Sequence, residues 1–335
     1  MSAETSEWLN TMTLIGFTDQ RGNAWHYRAD LQAEEPNHYP GAIPVGDVHR
    51  RLFNFEVQDA DVFVKAPGSN PPRMIKAPGR KAMLCSDDNS VLGIFKESYQ
   101  GHSYSEWLID NVSSILSDEL SIASAGLLKG RAQAWVSVEV PENITTPEGV
   151  EFRPSLTACT SYDGSLATTY KRMVTNVVCD NTLSAGLNED GQTFKLRHSK
   201  YSGLRLNDAR EALAIVHTMA EDFAAEVARL TSWKVSDREF QATLDAVFPR
   251  PTEEGRGQTV ADKKRDEIIT LYRADERSTP WHGTAFGVLQ AFNTWHQHYA
   301  QVRKGAPRIV RNMENALKDK SAQADAHVLS VLAAV

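Results

Sequence analysis

The sequence predicts an α+β protein: an antiparallel β-meander with helices in the N-terminal and central part, then a mostly α-helical C-terminal region. Three observations predict it. Four β-patterned runs follow one another over residues 120–178, joined by tight turns. From Leu206 onward almost every segment has helical periodicity. The helices follow the strands instead of alternating with them, which separates α+β from a doubly wound α/β chain. The reading divides the chain into an N-terminal arm over 1–40, an α+β domain over 41–205 and a helical domain over 206–335.

The first 40 residues are polar, aromatic and turn-rich, and they read as an arm anchored by Trp8, Trp25 and Tyr27. In "VGDVHRRLFNF", Val45, Val48 and Leu52 have helical spacing, with Asp47 in the first turn. "EVQDADVFVK" reads as a strand. "KAPGSNPPRMIKAPG" reads as a loop because proline and glycine punctuate it. "KAMLCSDDNSVLGIF" places two apolar runs around an Asp-Asp-Asn-Ser turn, a β-hairpin. "SYSEWLIDNVSSIL" puts Trp107, Leu108, Val112 and Ile115 on one helical face, with Ser103 and Glu106 in capping-box register.

"LSIASAGLLKGRAQAWVSVEV" then gives two strands around "LKGR", and "VEFRPSLTACTSYDGSLATTYKRMVTNVV" gives two more around "YDGS". The Asp163-Gly164 pair there is a strong hairpin turn. A helix capped by Asp180 is expected over 180–187, with Asn181 unusually polar for its first turn. Further helices are expected from the Asn207 cap (apolar stripe Leu213, Val216, Met219, Phe223, Val227, Leu230), from the Ser236 cap, from Val260, from "HGTAFGVLQAFNTWHQHYAQVR", and from Pro307 to the end.

Composition narrows the function. A chain of 335 residues with 41% hydrophobic content has enough apolar material for a core. The net charge of −7 advertises no global attraction to nucleic acid or membrane, so local runs must carry any such reading. Cys85, Cys159 and Cys179 lie far apart with no CxxC pair, as in a reducing cytoplasm. The N-terminal residues have no basic n-region or long apolar core, and no stretch is long enough to cross a membrane. A cytoplasmic protein is the expectation.

Metal chemistry finds little support. His296 and His298 are two apart and diverge on a helix, and His282 has no partner at metal-ligand spacing. No metal or nucleotide cofactor is expected. Cys179 follows Val177-Val178 without any local signature of a catalytic thiol, so it reads as a small core residue. Asp163 and Asp180 read as turn and cap residues.

The basic runs are the stronger signal. "KLRHSKYSGLRLNDAR" carries Lys195, Arg197, Lys200, Arg205 and Arg210 against one acid, with Tyr201 among them. Lys171 and Arg172 lie in the preceding strand, and "RKGAPRIVR" adds Arg303, Lys304, Arg308 and Arg311. Such clusters suit a phosphate backbone, and interleaved aromatics suit stacked bases.

"LTACTSYDGSLATTYKRMVTNVVCDNTLSAGL", "FKLRHSKYSGLRLNDAREAL", "GTAFGVLQAFNTWHQH" and "LGIFKESYQ" together resemble a phage/plasmid-like protein family of unknown function (domain of unknown function 932). Where that family's turn has His-Asp-Gly-Ser, this chain has Tyr162-Asp163-Gly164-Ser165; "NAWHYRAD" matches the family's opening element only in part. The resemblance implies a mobile-element context, in which recombination, replication and anti-defence genes are found, and carries no catalytic residues. A meander followed by a helix, with basic residues on both, is also the layout of single-strand annealing proteins, a fold analogy only.

The leading expectation is therefore a homo-oligomeric protein that binds single-stranded nucleic acid through Lys171, Arg172, Lys195, Arg197, Lys200 and Arg205, with Tyr170 or Tyr201 stacking on bases. Two alternatives stay open. One is an enzyme, a metal-dependent nuclease or thiol hydrolase, using Asp163, Asp180 and Cys179. The other is a non-catalytic binder of a host protein through the apolar tail "AHVLSVLAAV".

Overall fold

The computed structural model describes residues 11–22, 36–68, 70–176, 181–183, 194–196, 209–253, 255–302 and 308–335. It confirms the α+β class, with antiparallel sheets in the N-terminal and central part and helices after them. The chain forms two interleaved compact units. The first comprises Met1–Pro141, Leu156–Lys171 and Gln192–Ala214; the second comprises Glu142–Ser155, Arg172–Gly191 and Ile215–Val335.

In the first unit, β1 (Thr13–Ile15) pairs antiparallel with β5 (Ser121–Leu128), and β5 pairs with β6 (Gln133–Glu139). The expected arm over 1–40 thus contributes an edge strand. Leu14 is fully buried, and Asn37 donates from Nδ2 to the Thr13 carbonyl. A short helix α1 (Thr18–Arg21) is fixed by Arg21, which meets Glu139 at 2.7 Å and donates to the Val140 and Pro141 carbonyls. Trp8, Trp25 and Tyr27 lie outside the described residues.

Every residue of β6 is buried, so this strand has core on both faces and shows no clean alternation. Its Trp135 indole lies over Gly126 of β5, where a Cβ would collide with the ring. Helix α2 (Val45–Val48) continues as a π-turn through Phe53. Helix α3 (Tyr104–Trp107) continues through Ile115 and buries Trp107, Leu108, Val112 and Ile115, the face read from the sequence. The Ser103 side chain accepts from the Glu106 amide as its cap.

The remaining strands of the central sheet are β7 (Ile144–Thr145), β8 (Glu151–Ser161), β9 (Thr168–Asn176), β10 (Asn181–Leu183) and β11 (Phe194–Leu196). Their order is β1-β5-β6-β8-β9-β10, with β7 on β8 and β11 on β9. A strand takes the place of the start of the helix expected over 180–187. Asn181, Thr182 and Leu183 form β10, paired antiparallel with Asn176, Thr175 and Val174. Asp-Asn after a β-branched run suits a hairpin connection as well as a helix cap, and Thr182 favours the strand.

A second sheet of three strands, β2 (Val57–Lys65), β3 (Met74–Cys85) and β4 (Val91–Lys96), also belongs to the first unit. The β3–β4 hairpin agrees with the sequence. The loop expected over 65–79 shrinks to residues 66–73, because β3 begins at Met74 and absorbs Pro78-Gly79 as an irregularity between Asp61 and Phe63 pairings.

The second unit is mostly helical. Helix α4 (Ala209–Ser232), whose residues through Ala214 belong to the first unit and the rest to the second, buries Ala212, Val216, Met219, Phe223, Val227 and Leu230, one continuous stripe. Leu213 is half-buried and Ala212 takes its place; the Asn207 cap lies outside the described residues. Phe223 meets Phe152 of β8 at 4.6 Å between ring centroids, and the start of β8 belongs to this unit.

Helix α5 (Asp237–Val247) starts with a complete capping box between Ser236 and Glu239. Ser236→Ala is expected to cost about 1 kcal/mol in chemical denaturation, the usual loss for such a cap. Helix α6 (Arg256–Ala274) begins four residues before the expected Val260, since polarity alone does not stop a helix. Helix α7 (Ala285–Thr294) is buried along its whole length and continues as a π-turn through Tyr299.

The single helix expected from Pro307 is two, α8 (Arg308–Leu317) and α9 (Lys320–Leu332). They are separated where Asp319 takes a left-handed φ of 59°. Val328 and Leu332 of the apolar tail are buried in this unit, while Ala326, His327, Ser330, Ala333, Ala334 and Val335 are exposed.

Candidate nucleic-acid interface

Lys171 and Arg172 are half-buried consecutive residues of β9, so their side chains leave opposite faces of the strand. They do not form one contact patch on one face. The Arg172 Nε is enclosed without a hydrogen-bond partner. Strand β11 sets the Lys195 backbone opposite Thr169, two residues from Lys171 along β9. Arg197, Lys200, Tyr201, Arg205, Cys179 and Asp180 lie outside the described residues.

Several other candidates have structural employment. Tyr170 is buried, donates its hydroxyl to the Asn111 carbonyl at 2.9 Å and has its phenol pKa pushed well up by burial. A ring held this way offers no free face to a base. Asp163 accepts from the Ser165 amide and hydroxyl and from Gln133 Nε2, which is the turn chemistry of an Asp-Gly hairpin.

Arg308 donates to the Gln297 and Ala300 carbonyls, and Arg311 to those of His296, Gln297 and Ala300. Both guanidiniums therefore cap the carbonyl end of the π-turn after α7. Arg303 and Lys304 are not among the described residues. The His296 ring is neutral: burial first, then Arg311 and Lys264, bring its pKa down to about 4. Among the described residues no group of three His, Cys, Asp or Glu side chains could hold a metal ion, and Cys85 and Cys159 are buried thiols.

The cationic surface that stands out lies in a segment whose sequence suggests a loop. Between Asp61 and Cys85 the chain carries Lys65, Arg73, Lys76, Arg80 and Lys81 and no carboxylate at all. The distal parts of β2 and β3 form a two-stranded ribbon with Phe63 opposite Lys76, Val64 opposite Ile75 and Lys65 opposite Met74. The Ala66 amide donates to the Arg73 carbonyl at 2.8 Å and extends the ladder to a tip that contains Pro67, Pro71 and Pro72.

No described residue from 61 to 81 is buried. Of the nearby carboxylates, Asp59 and Asp61 sit on the proximal part of β2 and pair with Lys81 at 2.7 Å and Lys76 at 2.8 Å, and Glu97 follows β4, where its amide donates to the Gly79 carbonyl and its charge also acts on Lys76. The Asp61 partnership raises the Lys76 pKa above its ordinary value, so that ammonium stays charged. Lys65, Arg73 and Arg80 are also exposed. A tally of cations against acids along residues 62–84, the measure that singles out 195–210, finds this segment too.

Among the described residues no helix is long and apolar enough to cross a membrane. No curated protein and no solved structure matches the chain. A family profile described as "Domain of unknown function (DUF932)" matches residues 91–318, which takes in β4, the central sheet from β5 onward and the helices through α8. That match spans more than half of the sequence and starts just beyond the ribbon, and by it the chain belongs to the DUF932 family.

Proposed function

We propose that this protein binds nucleic acid and handles single strands, as in strand annealing within a mobile element. The observation that carries the reading is the acid-free, unburied cationic run of the ribbon in a protein whose net charge is −7. Five cations in one short run that holds no acid attract a polyanion far more than the average surface does. Single strands are taken by Lys171, Lys195, Arg197, Lys200 and Arg205, with Tyr201 stacking on a base, while Arg172 leaves the other face of β9. The antiparallel pairing of β11 with β9 supports this, because it brings the Lys195 and Lys171 backbones to neighbouring positions of one sheet.

Phosphate contacts of this kind release counterions, so affinity falls steeply with salt, by about 0.7 in log–log slope per contact on a single strand. A salt titration of binding to a labelled strand of about 30 nucleotides checks the proposal. Affinity should fall steadily from about 50 to about 300 mM salt, and Lys195→Ala with Arg197→Ala should flatten the slope by about 1.4. Absence of binding at the lowest salt, or a slope untouched by that pair, rejects it.

A further inference from the structure

We infer that the β2–β3 ribbon is a duplex-binding arm, a second element that holds double-stranded nucleic acid in a groove; this rests on the nucleic-acid reading above. The ribbon carries apolar side chains on both faces, which is unusual for a two-stranded element. Phe63 and Lys65 of β2 share one face with their partners Lys76 and Met74, while Val64 and Ile75 face each other on the opposite side. Phe63, Val64, Met74 and Ile75 are 50%, 53%, 57% and 46% exposed. Four large apolar side chains on a ribbon without a core beneath it mark a surface that something covers.

The occupant must satisfy two conditions. It must be anionic, because Lys65 and Arg73 flank the apolar positions, Arg80 follows at the ribbon's base opposite Lys96 of β4, and no carboxylate follows Asp61 until the ribbon ends. It must also cover both faces at once. A single strand stacked on a sheet covers one face and would leave either Phe63 with Met74 or Val64 with Ile75 in water. A duplex groove has two walls. The major groove, about 12 Å wide, admits a two-stranded ribbon whose strands lie about 4.8 Å apart. Apolar side chains then meet thymine methyls, base edges and sugars, and cations at the ribbon edges reach the phosphates on both rims. The tip adds Pro67, Pro71 and Pro72, whose missing amide donors and rigid backbone suit a loop that enters a groove. In an annealing protein such an arm would hold the paired product while the sheet cations hold the reacting strands.

The test compares a labelled duplex of about 20 base pairs with a labelled single strand by fluorescence anisotropy. Three full-length proteins are used: wild type, Phe63→Ser with Ile75→Ser (one residue from each face), and Lys65→Ala with Arg73→Ala and Arg80→Ala. Circular dichroism melts confirm that each is folded, as substitutions at exposed positions should allow. The apolar pair should weaken duplex binding about tenfold at constant salt slope, and the cation triple should flatten the duplex slope by about 2.7. The apolar pair should keep single-strand affinity within about twofold, and the cation triple should cost single strands clearly less than duplex.

The inference is overturned if both variants hold duplex like wild type, or if they lose single strands as strongly as duplex. Sedimentation adds one more outcome against it: wild-type oligomers that the apolar pair dissolves, with duplex affinity intact, would make a second copy the ribbon's partner. Wild type that binds single strands and ignores duplex sinks the arm but keeps the proposed function. Wild type that binds neither sinks the proposed function itself.

Discussion

Asp325→Asn should make the protein more stable at pH 8, by on the order of 4 kcal/mol, and change it little at pH 4. Asp325 of α9 is 3% exposed, and Asn293 of α7 donates from Nδ2 to both of its carboxylate oxygens at 3.0 Å. Gln297 Nε2 in turn donates to Asn293 Oδ1 at 2.9 Å. Burial raises the Asp325 pKa to about 7, and the Asn293 contact pulls it the other way without prevailing.

Between about pH 4 and 7 the folded protein keeps a proton on Asp325 that the unfolded chain has released. Stability from this group is thus full below the unfolded value and declines as pH rises through the folded one, by about 1.4 kcal/mol per pH unit. Above pH 7 the native state holds a buried, ionised carboxylate against one amide. Asparagine has nearly the same shape and cannot ionise, so its advantage should open between pH 4 and 7 and then level off. Urea denaturation of both proteins at pH 4, 5, 6, 7 and 8 measures this. Parallel stability curves across that range would refute it.

The second large effect is expected at Gly287, in the first turn of α7. A Cβ there would press on the Trp281 carbonyl oxygen far inside van der Waals contact and lie 2.8 Å from its carbonyl carbon. Those are backbone atoms, and they are held in place. Thr284 Oγ1 donates to the Trp281 carbonyl at 2.6 Å and accepts from the Gly287 amide at 3.2 Å. The Trp281 ring meets Phe286 edge-on at 5.1 Å and its Nε1 donates to the Glu148 carbonyl. No side chain can swing aside to relieve the clash, so Gly287→Ala should destabilise by about 3 kcal/mol, at the upper end of overpacking costs. Gly257→Ala in α6 is the comparison. Its Cβ would meet only Pro251 Cγ at 3.7 Å, and it should be neutral or stabilising by up to about 1 kcal/mol. Equal melting temperatures for the two variants would refute the steric account.

The elements legible in the sequence were those whose pattern is local. The β5–β6 and β8–β9 hairpins announce themselves by turn residues, and the α4 stripe by its period. Of the ribbon, β2 was legible as a strand, but the distal part of β3 was not, because it buries neither face and Pro78-Gly79 imitates a loop. The division of one expected helix into α8 and α9 turns on Asp319, a residue with no local breaker signature.

The candidate sites divide the same way. The cationic runs could be read directly, but which cations are engaged elsewhere could not. Arg308 and Arg311 serve carbonyls brought to them by the π-turn after α7. The Asn293–Asp325 pair joins residues 32 apart, on two helices whose contact only the folded unit reveals. Tyr170 was read as a stacking residue because strand alternation does not say what lies on each side.

The interleaving of the two units bears on how a ribosome can deliver this protein. The Glu142–Ser155 segment emerges early but belongs with helices made much later. The Glu148 carbonyl waits 133 residues for the Trp281 indole, roughly 7 to 27 s at ordinary translation speeds. During that interval Phe152 has no ring to meet until Phe223 is made, and β8 is a nascent strand prone to pair with the wrong neighbour. The first unit can close once Ala214 is out, while carrying two stretches that belong to the second. No single cut of the chain yields both units whole, so the protein should depend on chaperones that shelter those stretches until the last helices arrive.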